Sequence, residues 1–414
     1  MRLALGLGLG HVPLGKANTV PAPTAIPALA NLVTRFSADS LSLGNGANVT
    51  SWTDSINSIV AANATSGERP TFATNRLNGK PSVQFPGAWP TIKRLMIATP
   101  GALATAIDSK DFTVFIVFRT LGGNATSNPQ AGLLTTDNAA SLYLSADGQN
   151  VQWNNVAALT VPYAGQTSFS TIGQTAFNTT PNYSGTGALQ SFYVNGGAAS
   201  SVAVAANATG GQPFTIGSLI SNNPSNAEIF DILVWNKPLT PAQYMQAQMW
   251  ACDKYGQAYP WASVTAINTF FGDSITQGVG ASTIAHQAPY LAAQSLGLNF
   301  GQWHNIGIGG ITVANMGVLA PSWVDPIPAL ISKKINLVGF EWHNENLTNP
   351  TLPLPYNHAV TYLAARKAIA NQRTVWGTST SESADPIANR ASYNSAFDAA
   401  HANVDSYVPT PTSV

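Results

Sequence analysis

The chain has 414 residues, of which 18 are Lys or Arg and 18 are Asp or Glu, so formal charges cancel and charged side chains make only 9% of the sequence. An average soluble protein carries roughly 25%, and a chain this sparsely and evenly charged is excluded from capturing nucleic acid or anionic lipid through its net field. The single cysteine, Cys252, excludes an intrachain disulfide, and no Cys/His cluster has zinc spacing, so neither a metal nor another cofactor is expected.

Hydrophobic residues make 45% of the chain, while Gly, Asn, Thr and Ser fill most polar positions, a composition suited to an exported or particle-borne β-rich protein. The expected location is extracellular or associated with a cell or virion surface. Arg2 followed by Leu3-Ala4-Leu5-Gly6-Leu7-Gly8-Leu9-Gly10 imitates a secretory leader, but the apolar run is short and half glycine. No stretch of about 18 or more apolar residues exists, so no membrane-spanning helix is expected.

Residues 1–27, with Pro13, Pro21, Pro23 and Pro27, read as a Gly/Pro-rich arm or linker with little fold of its own. From Leu32 to about Ser218 the chain shows strand-length apolar runs separated by Gly/Asn/Pro/Ser turns, among them Phe112–Phe118 and Ser191–Gly196. That pattern predicts an all-β sandwich. Asn195-Gly196 between apolar residues predicts a tight hairpin turn, because both residues accept positive φ at low cost. One helix closes the region: Thr240 as N-cap, Pro241 in the first turn, Gln243 completing a capping box, and Gly256 as the stop after Tyr255.

After Pro260 the pattern becomes strand, Gly-containing loop and helix in alternation. The expected elements are a strand at Ala266–Phe271, a helix near Tyr290–Leu296, a strand into Asn305 and a strand at Ile335–Phe340. A helix at His358–Ala370, a strand at Thr374–Gly377 and a helix at Ala388–Val404 follow. Such alternation predicts a parallel sheet covered on both faces.

Several signatures of the β region stand in a fixed order: Phe36-Ser37-Ala38-Asp39, Ser51-Trp52-Thr53-Asp54, Pro81-Ser82-Val83-Gln84-Phe85, Phe112–Phe118, Tyr193-Val194-Asn195-Gly196 and Ala227–Trp235 before the capped helix. In this order they resemble a laminin-G-like, concanavalin-A-type jelly roll over residues 28–256. The resemblance implies a domain that binds glycans or spaces another domain from a surface. Trp153 is a candidate to stack on a sugar ring, whereas Trp52 and Trp235 are expected to fill the core.

In the second region Gly272-Asp273-Ser274 follows a buried strand, which places the serine at the carboxyl edge of the sheet, where open α/β folds build their sites. Asn305-Ile306-Gly307-Ile308-Gly309-Gly310 follows the next strand, and its glycines let a backbone N–H approach a ligand. Trp342-His343-Asn344-Glu345 follows the third and brings a side-chain amide. A hydroxyl, a backbone donor and an amide donor at three strand ends are the parts of a serine nucleophile with an oxyanion hole.

These blocks resemble the GDSL, or SGNH, family of serine esterases and acetylhydrolases over 262–414. The fold so implied is multidomain: an N-terminal all-β jelly-roll sandwich and a C-terminal three-layer, flavodoxin-like α/β domain. Ser274 matches the family's nucleophile, Gly310 its backbone oxyanion donor and Asn344 its side-chain oxyanion donor. The third block departs from the usual Gly-Thr-Asn-Asp, with an indole at Trp342 where the family has glycine.

A serine needs a base, and the family supplies it with an orienting carboxylate from a C-terminal Asp-x-x-His. Asp398-Ala399-Ala400-His401 is a literal match, but Tyr393, Phe397, Ala400 and Val404 recur at helical spacing and set Asp398 and His401 in mid-helix. The chain stops at Val414, about where the family's base-bearing loop begins. The base is thus open between His401 with Asp398, another histidine such as His304 or His343, and a block the chain lacks, which the helical spacing favours.

The expected function is a serine esterase that removes acetyl or other short acyl groups from an acylated carbohydrate or other small ester substrate, with a glycan ligand on the sandwich. The competing expectation is a non-catalytic glycan-binding or structural surface protein, phage tail-fibre or adhesin-like, retaining a degenerate or truncated esterase domain.

Overall fold

A computed structural model describes residues 24–87, 91–121, 130–136, 142–145, 150–153, 161–162, 170–177, 188–204, 209, 211–218, 225–277, 281, 284–339, 354–377 and 406–408. The chain opens with β1 (Leu32–Ser37), β2 (Ser51–Thr53), β3 (Val60–Ala62), β4 (Thr71–Leu77), β5 (Lys80–Pro86) and β6 (Leu95–Ile97), then helix α1 (Ala102–Asp108). Next come β7 (Phe112–Thr120), β8 (Gln130–Thr135), β9 (Leu142–Ser145), β10 (Asn150–Trp153) and β11 (Val161–Pro162). Then follow β12 (Ser170–Phe177), β13 (Ala188–Val194), β14 (Gly197–Val204), β15 (Phe214–Ile216), β16 (Asn226–Trp235) and helix α2 (Pro241–Tyr255).

These strands make two eight-stranded antiparallel sheets. One runs β14-β13-β12-β7-β16-β5-β4 with β1 against β16, the other β11-β10-β9-β8-β15-β6-β3-β2. Phe36, Val83, Phe85, Val114, Ile116 and Phe118 of the first share a buried cluster with Trp52, Leu95, Ile97, Leu133, Phe214 and Ile216 of the second, so the core lies between the sheets. Trp52 and Trp235 are fully buried, as their core role requires. Their indole N–H groups donate to Ser37 O at 3.0 Å and Pro27 O at 2.9 Å. The hairpin between β13 and β14 turns at Asn195 (φ 49°) and Gly196 (φ 84°), the two positive angles that Asn-Gly predicts.

The unbroken apolar run of β7 has a structural cause: both of its faces are covered. Val114, Ile116 and Phe118 enter the sandwich core, while Phe115 and Val117 join a second cluster with Tyr244, Ala247, Trp250, Ala251 and Tyr255 of α2. The helix is capped as its sequence predicts. Thr240 accepts the N–H of Gln243 at 3.2 Å, the Gln243 side chain accepts the N–H of Thr240 at 3.1 Å, and Gly256 closes the end at φ 62°.

The arm expected to lack structure is docked where it is described. Thr24 N–H donates to Asp253 Oδ2 at 2.8 Å, and Pro27 O caps the Trp235 indole, because that buried donor needs an acceptor.

Beyond α2 lie β17 (Ala266–Gly272), α3 (Ser274–Gln277), α4 (Ala288–Ser295), β18 (Trp303–Gly307), α5 (Val313–Trp323) and α6 (Ile327–Ile331). The described chain ends with β19 (Lys334–Gly339), α7 (Leu354–Lys367), β20 (Gln372–Gly377) and β21 (Ser406–Val408). All five strands are parallel, ordered β18-β17-β19-β20-β21. In units of this sheet the order is 2-1-3-4-5, the doubly wound arrangement whose direction reverses beside the first strand.

The helix expected at His358–Ala370 starts earlier, at Leu354, and ends at Lys367. α1, α5 and α6 add helices the sequence pattern does not announce. The helix expected at Ala388–Val404 lies outside the described residues.

α2 belongs to both halves of the molecule. Its cluster with β7 continues into Phe271, Ile306, Met316, Leu319, Leu337 and Leu363 around the parallel sheet, and Ala242 and Met245 meet Ile267, Ile327 and Ile335. A helix apolar on most of its circumference is a buried one. Beside it, edge strand β14 runs along β18 and reaches α3.

Candidate functional site

The carboxyl ends of β17 and β18 form the edge to be read. β17 is buried through Phe271, and Asp273 at its end is 3% exposed. Ser274 then opens α3, whose turn is closed by Gln277 N–H on Asp273 O at 2.8 Å.

β18 arrives alongside in parallel register, Gly272 opposite Gly307. Gly307 must be glycine here, since a Cβ would stand 2.1 Å from Gln277 N and 2.5 Å from Thr276 C. The two strand ends are then tied twice: Ile308 N–H donates to Gly272 O at 2.8 Å, and Gly309 N–H donates to Gln277 Oε1 at 2.7 Å. Ile311 N–H returns to Ile308 O at 3.1 Å, closing a turn in which Gly310 takes the left-handed angle φ 76°. Thr312 caps α5 by accepting Asn315 N–H at 3.2 Å.

A buried polar chain braces the approach to this turn. Asn305 Oδ1 accepts Gly307 N–H at 3.1 Å, while Asn305 Nδ2 donates to Gln287 Oε1 at 3.1 Å. Every buried amide so engaged avoids the cost of an unmade bond and fixes the strand end.

The structure therefore brings the Ser274 backbone and the Gly310 turn to one edge, beside the strand at which the order reverses. Asn344, His343, Asp398 and His401 lie outside the described residues. Among the described residues no group of three or more His, Cys, Asp or Glu side chains gathers to hold a metal. No described helix is long and apolar enough to cross a membrane.

His304, one of the alternatives for a base, is committed elsewhere. Its ring is fully buried in β18, and Nδ1 accepts the N–H of Ala198 in β14 at 3.2 Å. Burial pushes its pKa down to about 4, so near neutrality it is an uncharged imidazole with its proton on Nε2. The ring serves the seam between β14 and β18.

Gln277 is the residue that reading the motifs for chemistry passes over. The available signal is its position three residues after Ser274, within the same single helical turn.

No protein-family model matches the chain, and no curated protein matches it. Among solved structures it is similar to Trypanosoma rangeli sialidase in complex with 2,3-difluorosialic acid, at 14% identity over 56% of this chain and 35% of that one, TM-score 0.32. It is also similar to domain 4 of a GH43 extracellular arabinanase from Geobacillus stearothermophilus in complex with arabinotriose, at 13% identity over 53% of this chain and 98% of that one, TM-score 0.37. The botulinum neurotoxin serotype D binding domain is similar at 10% identity over 53% of this chain and 51% of that one, TM-score 0.35. The chain spans about a third of the length of the sialidase chains it matches. Likeness at these scores decides neither fold nor function.

Proposed function

We propose that the chain is a serine ester hydrolase of the SGNH type, with residues 28–256 as a laminin-G-like sandwich domain and 262–414 as the hydrolase domain. Its substrate class is an acylated carbohydrate, from which acetyl or another short acyl group is removed, with glycan held by the sandwich. Work outside the cell or on a cell or virion surface belongs to the same proposal, supported by the low-charge, hydroxyl- and amide-rich composition.

In this reading Ser274 Oγ attacks the acyl carbonyl while a histidine base takes its proton, His401 with Asp398 being the pair in this sequence that matches the family's Asp-x-x-His. The Gly310 N–H and the Asn344 amide receive the charge that develops on the carbonyl oxygen. Protonation of the departing sugar oxygen leaves an acyl-serine, and water activated by the same histidine releases the carboxylate and restores Ser274.

The observation that carries the reading is the doubly tied edge, Ile308 to Gly272 and Gly309 to Gln277, which joins the serine turn and the glycine turn beside the strand where the order reverses. Hydrolysis of p-nitrophenyl acetate by the whole chain, Ser274→Ala and His401→Ala tests it. Loss of activity in both variants supports the reading. Activity kept by Ser274→Ala removes the assignment of the nucleophile, activity kept by His401→Ala alone removes only the assignment of the base, and no activity above the blank in any of the three leaves the non-catalytic, glycan-binding role.

A further inference from the structure

Two adjacent glycines form the turn that would offer the oxyanion donor, and glycine fixes backbone direction least of all residues. Something outside the turn must hold it. One end is closed by Ile311 N–H on Ile308 O at 3.1 Å. At the other, Gln277 Oε1 accepts Gly309 N–H at 2.7 Å.

Gln277 is itself immobilised. It is 2% exposed, its own N–H is bonded to Asp273 O at 2.8 Å, and its backbone is packed where a Gly307 side chain would otherwise stand. We infer that Gln277 is a positioning residue, a clamp from the serine turn that fixes the Ile308–Gly309 peptide, whose N–H it accepts, and so sets the start of the Gly309-Gly310 turn from which the Gly310 N–H meets the developing oxyanion.

The inference rests on the esterase reading of this edge and deepens it, because it makes one side chain the physical link between nucleophile turn and oxyanion turn. A carboxamide suits the task where a carboxylate does not. Either group accepts an N–H, but a carboxylate would set a negative charge beside the oxygen on which negative charge grows, raising the barrier in a site of low dielectric. The second amide atom, Nε2, is buried with no partner among the described residues, so Gln277 also brings an uncommitted donor to the same edge.

Three proteins of 414 residues test this: wild type, Gln277→Met, which keeps bulk and removes the acceptor, and Gln277→Glu, which keeps an acceptor and adds a charge. Steady-state hydrolysis of p-nitrophenyl acetate from about pH 5 to about pH 8 is combined with amide hydrogen exchange over residues 305–312. The expected result for Gln277→Met is a kcat lower by about 10- to 100-fold with KM nearly unchanged, and faster exchange at Gly309 with β17 still protected. For Gln277→Glu the ratio of its rate to wild type rises as pH falls, because protonation removes the added charge.

A Gln277→Met enzyme with wild-type kcat, a loss confined to KM, or a Gln277→Glu ratio flat with pH would overturn the clamp. If the wild-type chain hydrolyses no ester, the esterase reading falls and exchange decides the clamp alone: unchanged protection of Gly309 in Gln277→Met overturns it, and selective loss supports it.

Discussion

The backbone N–H of Ala198 in β14 donates to Nδ1 of His304 in β18 at 3.2 Å, so one hydrogen bond joins the edge of an antiparallel sheet to the edge of a parallel one. β18 leads directly into the Gly309-Gly310 turn, and β14 also reaches α3. The sandwich thus braces both strand ends on which the proposed chemistry depends.

This histidine makes stability depend on pH in a predictable direction. Burial lowers its pKa from 6.5 to about 4, so between those values the unfolded chain binds a proton that the folded chain refuses. Its contribution is whole above about pH 6.5, declines by up to ~1.4 kcal/mol per pH unit on acidification and levels off below about pH 4, a loss of ~3 kcal/mol in all. His304→Asn retains an acceptor and cannot titrate. Urea unfolding at about pH 7 and pH 5 should give a smaller difference in midpoint for His304→Asn than for wild type, and equal differences would contradict the assignment.

The same seam depends on glycine. A Cβ at Gly301, which has φ 86°, would lie 2.3 Å from Asn195 O and 2.6 Å from Pro260 Cβ, and one at Gly197 would lie 2.6 Å from Trp303 O. Gly301→Ala should therefore cost at least ~2 kcal/mol, from strain in the left-handed region plus the clash. Gly44, with nothing within 4 Å of its added Cβ, provides the comparison, and Gly44→Ala should stay within ~1 kcal/mol of wild type. Thermal unfolding of the two variants checks the difference, and equal melting temperatures would mean that the seam yields without cost.

Glu228 anchors the opposite part of the first sheet. It is fully buried and accepts from Arg76 Nε at 2.9 Å, Ser82 Oγ at 2.8 Å, Gln84 Nε2 at 3.3 Å and the Arg119 guanidinium. Desolvation pushes its pKa up, but the hydrogen bonds from Arg76 and Ser82 and the charges of Arg119 and Arg76 overturn that and leave it below 4.5. Its contribution is present above the ordinary carboxylate value and lost as pH falls through the lowered one. Glu228→Gln should cost about 3 kcal/mol near neutrality, the lower end for a broken buried pair, since both arginines keep some contact with water. Chemical unfolding at about pH 7 would show it, and a loss under ~0.5 kcal/mol would mean the arginines are fully served by solvent.

Much of this architecture is written in local sequence. Thr240-Pro241-Ala242-Gln243 and Gly256 bound α2 because capping satisfies orphan backbone groups within a few residues, and Asn195-Gly196 turns a hairpin because both accept positive φ. The buried strand before Ser274 and the glycine turn after Asn305 are legible for the same reason. Non-local facts are not legible. Nothing near His304 announces Ala198, 106 residues away, and nothing near Gly309 announces Gln277, 32 residues away. α5 hides behind Gly317 and Pro321, residues that ordinarily argue against a helix, and its Thr312 cap sits inside a run that reads as loop. The packing of Pro27 on Trp235 spans 208 residues, so a proline-rich stretch reads as an arm when its last residues belong to the wall of the core.

The most direct measurement of the central claim, that Ser274 is an activated nucleophile, is intact-protein and peptide mass spectrometry after incubation of the whole chain with a fluorophosphonate. The account predicts one added phosphonyl group, located on the peptide carrying Ser274, and no addition to Ser274→Ala under the same conditions. An unmodified wild-type chain, or a label that persists in Ser274→Ala, would contradict it.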